Sequence, residues 1–293
     1  MNYYVEIKKK LIDNEIYKKV KDYSKNKSDL ETYYNVGKLL NDAGKHYGEG
    51  IIKEYSKRLT NELGRKYSIR YLFDMKKLYL FLKVHPVGAQ LTMSHCKLLF
   101  PLNNNLEIDY YIEQVIKRNL SKRELEQLIK NKEYERLPDK TNVALNNHEE
   151  KNIDDYIKNP IIINNNSDYE EISEKVLQKL ILEDIPSFLN ELGDGFTFIK
   201  NEYKIKLGNN YNYIDLLLFN YIYNCFVVVE LKVTELKKEH IGQVQVYMNY
   251  IDKNLKTTNQ NKTIGIILIR RDNKYIIEYS SDERIISREY VVN

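Results

Sequence analysis

Tryptophan is absent from the 293 residues, and cysteine occurs only twice, as Cys96 and Cys225. Two thiols so far apart, with no Cys-x-x-Cys and no histidine at ligand spacing, argue against a disulfide framework and a structural zinc site. They read as small buried or half-buried thiols of a reducing compartment. Long apolar runs are also missing. No stretch approaches the roughly eighteen apolar residues of a membrane helix. The opening MNYYVEIKKK lacks an apolar core followed by a small-residue cleavage site. The expectation is a soluble, cytoplasmic chain with no membrane partner. Excess charge is small as well: 46 Lys and Arg against 42 Asp and Glu give +4 and a pI near 8.6. This permits nucleic-acid binding without arguing for it, because basic readers usually lie above a pI of about 9. The wealth of Lys, Asn, Ile and Tyr reads as codon bias and carries no functional meaning.

What is present suffices for two ordinary domains or one large one, with 42% hydrophobic and 30% charged residues. The chain divides at residues 138–167, PDKTNVALNNHEEKNIDDYIKNPIIINNNS, an Asn-, Asp- and Lys-rich segment expected to be a linker. Residues 1–137 carry helical signals. Ser28 or Asp29 can cap a helix through Leu30, Tyr33, Val36 and Leu40. A second covers Gly50 to Leu63. Ser68 opens a third with an apolar stripe at Leu72, Met75, Leu78, Tyr79 and Leu82. Ser94 can cap a short helix, Leu106 to Ile116 forms another, and Ser121 with Glu124 makes a capping box for the last. Residues 168–293 change pattern. A long amphipathic helix, Tyr169 to Leu192, is kinked or restarted at Pro186. Strand-like runs FTFIK, EYKIKL, YIDLLLF and CFVVVELK follow, then a helix from about Lys238 to Asp252, the strand TIGIILIR and the edge KYIIEYS. This is an α/β domain around a mixed sheet, preceded by a mainly α-helical domain.

Two of those strands hold charges where burial disfavours them. YIDLLLF is interrupted by Asp215, and CFVVVELK by Glu230 and Lys232. An ionised carboxylate there costs several kcal/mol unless it is paired or metal-bound. Alternation along a strand puts Glu230 and Lys232 on one face. A hairpin through Asn220–Asn224 brings Asp215 alongside. Two carboxylates suit Mg²⁺ (or Mn²⁺), with the carbonyl of Leu231 as a further oxygen ligand. A lysine beside them can orient or deprotonate a water and offset charge on a scissile phosphate, which is the chemistry of metal-assisted phosphodiester hydrolysis. Glu-x-Lys alone means little, and Glu202-Tyr203-Lys204 is a decoy of the same form. A buried structural salt bridge is the competing explanation.

Ile214-Asp215 followed by Glu230-Leu231-Lys232 resembles the PD-(D/E)XK nuclease motif, with Ile in the place of Pro. Gln243 and Tyr247 on the next helix are similar to the Q-x-x-x-Y element of the RecB-like branch, which implies a Gln243 beside the site. Many members add a Glu from the first helix. Glu174 and Glu183 are candidates, yet the FLNELGDGF segment aligns Gln178 there. ELGDGFTFI, YIDLLLFNYIYNCFVVVELK, HIGQVQVYMNYID and TIGIILIR resemble the YhcG-like family more closely. YYNVGKLL, IIKEYSKRLTNELG, SIRYLFDMKKLY, LTMSHCKLL and LSKRELEQLI look like that family's helical domain of unknown function. The resemblance covers about residues 20 to 280. It implies a restriction-endonuclease-like fold and an Mg²⁺-dependent endonuclease acting on nucleic acid, DNA above all. Genome defence, repair and mobile-element processing are roles compatible with it. The alternative is an inactive nucleic-acid-binding or assembly module on the same fold, and a homo-oligomer is left open.

Other signals are weaker. Arg65 to Tyr71 mixes bases and aromatics at a helix start, where a phosphate or a helix-turn-helix could fit, although a solvated turn is the plainer reading. His95 reads as packing or a local hydrogen bond. His240, close to the catalytic strand, faces either substrate or solvent.

Overall fold

The computed structural model describes residues 2–20, 25–64, 66–138, 153–270 and 282–293, with backbone alone at 17–20, 25–28 and 155–156. It falls into two compact units, Met1–Tyr134 and Glu135–Asn293.

The first unit is helical, as its periodicity predicts. Its elements are α1 (Tyr3–Val20), α2 (Lys25–Tyr47), α3 (Ile51–Leu63), α4 (Ile69–Val84), α5 (Met93–Leu99), α6 (Asn105–Arg118) and α7 (Lys122–Lys130). The sequence reading missed α1. Its inward stripe is Tyr4, Ile7, Leu11 and Asn14, narrow and partly polar, so its apolar signal is faint. Helix α2 begins at Lys25, ahead of the expected Ser28 or Asp29. Ser68 caps α4 as expected, its hydroxyl accepting from the Tyr71 N–H, and the whole predicted stripe is buried. Helix α5 is capped by Thr92, not Ser94. The Thr92 hydroxyl accepts from the His95 N–H while the His95 ring accepts from the Thr92 N–H, so the histidine's work is local. The box of Ser121 and Glu124 stands at α7. Helices α2 and α4 approach closely at Gly37, where a Cβ would lie 2.0 Å from the Met75 carbonyl oxygen.

The second unit is a six-stranded mixed sheet between helices. Its elements are β1 (Ile161–Ile163), α8 (Glu174–Glu183), α9 (Ile185–Leu192), β2 (Phe196–Leu207), β3 (Asn210–Asn220), β4 (Cys225–Leu231), α10 (Lys238–Asn254), β5 (Ile264–Ile269) and β6 (Ile285–Val292). The order across the sheet is β1-β6-β5-β4-β3-β2. Strands β2, β3 and β4 run antiparallel, while β4, β5, β6 and β1 are parallel. Strands buried on both faces explain the near-continuous apolar runs. Val227, Val229, Leu231, Ile266 and Leu268 pack toward α8 and α9. Val228, Ile267 and Ile269 pack toward α10 through Val244, Met248 and Ile251. Gly265 lets α10 lie close, since a Cβ there would meet Val244 Cγ1 at 2.3 Å.

Several expectations need correction. The helix expected over Tyr169–Leu192 is two, α8 and α9, broken at Asp184; Pro186 sits in the first turn of α9, where a missing N–H costs nothing. FTFIK and EYKIKL are one strand with a register shift between Phe198 and Lys200. KYIIEYS lies outside the described residues. Strand β6 was not anticipated. Nor is 138–167 all linker: Ile161–Ile163 form β1, paired with Tyr290–Val292, and Ile153–Tyr156 form a 3₁₀ turn. The segment is anchored by a buried ion cluster. Glu191 of α9 accepts from Arg136 (3.1 Å) and from the Ile162 N–H (2.9 Å), with Lys158 at 3.6 Å. Burial alone would raise the Glu191 carboxyl; Arg136 and Lys158 outweigh it and hold it below the ordinary range. Cys96 and Cys225 are free and buried.

Candidate active site

Asp215 and Glu230 meet where β3 and β4 part. The paired ladder runs from Asn220↔Cys225 to Leu216↔Val229 and stops there. The next residues would be Asp215 and Glu230. Instead of a carbonyl, the Leu231 N–H finds the Asp215 carboxylate, at 2.8 Å. Strand β4 keeps its other partner through the Lys232 N–H, which donates to the Leu268 carbonyl at 2.8 Å. Local strand geometry thus holds Asp215 against the backbone between Glu230 and Lys232, so three of the expected residues are brought together.

Glu230 is only 2% exposed. Its Oε1 accepts from Lys232 Nζ at 2.8 Å and from Gln243 Nε2 at 2.7 Å. Gln243 also donates to the Tyr247 hydroxyl at 3.0 Å, so both ends of the Q-x-x-x-Y element are engaged. The other oxygen, Oε2, is buried with no hydrogen-bond partner. A buried orphan oxygen is costly and calls for a ligand or a proton. The electrostatics agree. Burial, then the charge of Asp215, push the Glu230 carboxyl up to about 7. Burial raises Asp215 too, against the opposing Leu231 N–H and Lys232. Burial would lower the Lys232 ammonium, but Glu230, Glu174 and Asp215 surround it and hold it above its ordinary value.

Of the three candidates for an extra carboxylate position, the structure separates the roles. Glu174, in the first turn of α8, lies 3.7 Å from Lys232 Nζ. Gln178 donates to the Asp215 backbone carbonyl at 3.1 Å and so braces the strand. Glu183 is turned to Ser167, at 3.0 Å, and to Lys179. Glu202, half of the decoy Glu-x-Lys, lies between Asn201 and Tyr203, which pair with Leu216 and Ile214 on either side of Asp215. Its φ of 47° is a left-handed conformation inside a strand, and its charge adds to the lift on Asp215. A periodicity reading could not find it, because opposition across a bulged ladder is invisible in one strand's pattern. His240 is buried and its ring accepts from the Lys237 N–H at 3.2 Å, capping α10.

Residues 154–292 match the model of the YhcG PDDEXK nuclease domain, and residues 8–136 that of the DUF1016 N-terminal domain. The chain belongs to the YhcG-like family. It is 25% identical over 282 residues to the Escherichia coli (strain K12) protein named "Putative nuclease YhcG", covering 81% of this chain and 75% of that one. Similar solved structures are a repair endonuclease from Pyrococcus abyssi (22% identity, TM-score 0.30, 42% of this chain) and EndoMS in a complex with double-stranded DNA (20%, 0.29, 43%). The chain spans about half the length of these two, 48% of each. The family match over residues 154–292 makes the C-terminal unit a PDDEXK nuclease domain of restriction-endonuclease-like fold, and it follows in sequence the helical domain matched over residues 8–136. No helix among the described residues is long and apolar enough to cross a membrane.

Among the described residues no three His, Cys, Asp or Glu side chains converge as a metal site. The pair Asp215 and Glu230 is nonetheless suited to a hard cation. Both offer oxygens, both are lifted by burial, and one oxygen is unpartnered. Mg²⁺ takes only one or two carboxylates and fills the rest of its shell with water and substrate oxygens.

Proposed function

We propose that this chain is a Mg²⁺- or Mn²⁺-dependent endonuclease that hydrolyses phosphodiester bonds in DNA. The supporting observation is the orphan Oε2 of Glu230, buried beside Asp215 and beneath Lys232. Asp215, Glu230 and the Leu231 carbonyl would hold the ion, with Glu174 within reach of the same ammonium. Bound there, the ion would lower the pKa of a coordinated water and neutralise charge on the phosphate.

The chain's own residues do the positioning. Lys232, kept protonated, orients the attacking water and faces developing negative charge on the phosphate. Gln243 fixes the Glu230 carboxylate by occupying Oε1, which leaves Oε2 for the ion. Tyr247 in turn fixes Gln243. Gln178 holds the Asp215 backbone from the other helix. Residues 1–134 act as a separate targeting or assembly unit.

A cleavage assay with labelled duplex, single-stranded and junction DNA and with RNA, each with and without Mg²⁺ or Mn²⁺, tests this reading. Metal-dependent cleavage that Asp215→Ala removes supports it. Cleavage of RNA alone corrects the substrate. No cleavage of any substrate, together with tight binding, favours the inactive binding module.

A further inference from the structure

The two units differ sharply in charge. Residues 1–134 hold 26 Lys and Arg against 17 Asp and Glu, a net of +9. Residues 135–293 hold 20 against 25, a net of −5. The mild overall value of +4 hides this asymmetry. The nuclease domain is therefore repelled by a polyanion, while the helical unit attracts it.

The positive charge has a focus. A cavity of about 550 Å³ opens at the start of α4, lined by Lys66, Ser68, Arg70, Lys77 and Lys97, with Asp74 as its one acid. Arg70, Asp74 and Lys77 are spaced i, i+4, i+7 on α4 and so share one face. Lys97 reaches across from α5 and neutralises Asp74 at 2.7 Å. Lys66 meets Glu15 at 2.8 Å. Arg70 and Lys77 are exposed and make no ion pair among the described residues. The helix start, capped by Ser68, adds its own partial positive charge. Two cations with no ion pair among the described residues, on the wall of a concave basic surface, form a place built for an anion.

The aromatic rings of the cavity tell against base recognition. Tyr71 packs T-shaped with Tyr33 at 5.7 Å and carries the Lys97 ammonium over its ring at 5.7 Å, and Phe100 packs T-shaped with Phe81 at 5.6 Å. Both rings are half-buried and already partnered, while Lys66, Arg70, Lys77 and Lys97 line the cavity, so charge is the leading recognition element. A duplex presents phosphates outward and bases inward, so it matches a site of this kind better than an unstacked single strand.

We propose that this cavity, through Arg70 and Lys77 with Lys66 and Lys97 beside them, docks the phosphate backbone of duplex DNA without regard to sequence. It is distinct from the carboxylate site and supplies affinity that the acidic nuclease domain lacks. The inference concerns binding alone, so it stands or falls separately from the cleavage reading.

The experiment is fluorescence anisotropy of a labelled duplex of about two helical turns, with the full chain in EDTA, across a salt series. Arg70→Ala with Lys77→Ala should weaken binding about tenfold or more at 0.1 M salt. It should also flatten the slope of log K against log salt by about 2, near 0.9 for each phosphate no longer neutralised. Lys53→Ala with Lys57→Ala removes the same charge from exposed positions on α3 and should change the slope far less. Both pairs are at the surface, and unchanged melting temperatures confirm that binding alone is altered. Equal losses from the two pairs would show that only net charge matters and overturn the site. So would no loss from either, or a preference for single strands over duplex. Competition by inorganic phosphate or ATP at micromolar levels would instead assign the cavity to a small anion and overturn the DNA proposal.

Discussion

Asp215→Asn should make the chain more stable when no divalent metal is present. The Glu230 carboxyl stands near 7 in the folded chain against an ordinary 4.5. That difference of about 2.5 units corresponds to about 3 kcal/mol of destabilisation once the group is fully ionised. Burial is the larger cause and the Asp215 charge the next, so removing that charge should recover on the order of 1 kcal/mol, with a further gain from the raised pKa of Asp215 itself. Asparagine keeps the oxygen that accepts the Leu231 N–H, so geometry is preserved. Below about pH 3 both carboxyls are largely neutral, folded or unfolded, and the variant should match the wild type. As pH rises from 4.5 through 7, the unfolded chain ionises first, wild-type stability falls, and the variant gains. Thermal melts of both proteins in EDTA at pH 3 to 8 measure this. A gain of about 1–2 kcal/mol should appear as a few degrees for a unit of this size. A variant that melts well below wild type at every pH would show that Asp215 is a structural ion-pair partner and would refute the reasoning.

Adding Mg²⁺ or Mn²⁺ should raise the wild-type melting temperature and leave Asp215→Asn unmoved, because a ligand stabilises only the state that binds it. Lys232→Ala should keep or strengthen the metal-induced shift while turnover collapses; loss of the shift would place the lysine among the structural groups. Glu191→Ala should cost about 3–5 kcal/mol, seen in melts, because it leaves Arg136 and Lys158 buried without their carboxylate. Gly265→Ala should lower activity as well as stability, since its Cβ would push α10, and with it Gln243, away from Glu230; full activity would show that α10 repacks. Limited proteolysis should cut between residues 138 and 152, where the sequence is polar and poor in large apolar groups, and spare 153–167; cleavage inside α4 or β4 would contradict the division into two units.

Much of the second unit was legible because its strands are buried on both faces. There an ionisable residue is an anomaly, and Asp215, Glu230 and Lys232 stand out against LLL and VVV without any structure. Gln243 needed the family resemblance, since a glutamine on a half-buried helix face carries no signal of its own. What stayed hidden depends on partners distant in sequence. Ile161–Ile163 looked like an apolar island in a polar linker until β6 lay beside it. Glu202 read as part of a decoy until the ladder placed it between the pairs Asn201↔Leu216 and Tyr203↔Ile214, which flank Asp215. Glu174 and Glu183 stand at opposite ends of α8, and only the approach of Lys232 to Glu174, at 3.7 Å, tells them apart. In the helical unit, caps were misplaced by two residues at α5 because Thr92 and Ser94 are equally good cap types. Only the His95 ring, returning to the Thr92 N–H, decides between them.

The parallel pairing of β1 with β6 also has a consequence for how the domain folds. Ile161 and Tyr290 are partners 129 positions apart. Closing so long a loop is entropically unfavourable, and the three residue pairs it gains are few. The local β2-β3-β4 meander can form without waiting for it, so β1 is expected to dock last. Until it does, β6 presents a bare edge of unpaired N–H and C=O groups, the kind of edge that recruits other chains. The interval before β1 arrives is therefore when this domain is most exposed to intermolecular strand pairing. Dilution or slow refolding should raise the yield of native protein more than any change to the carboxylate site.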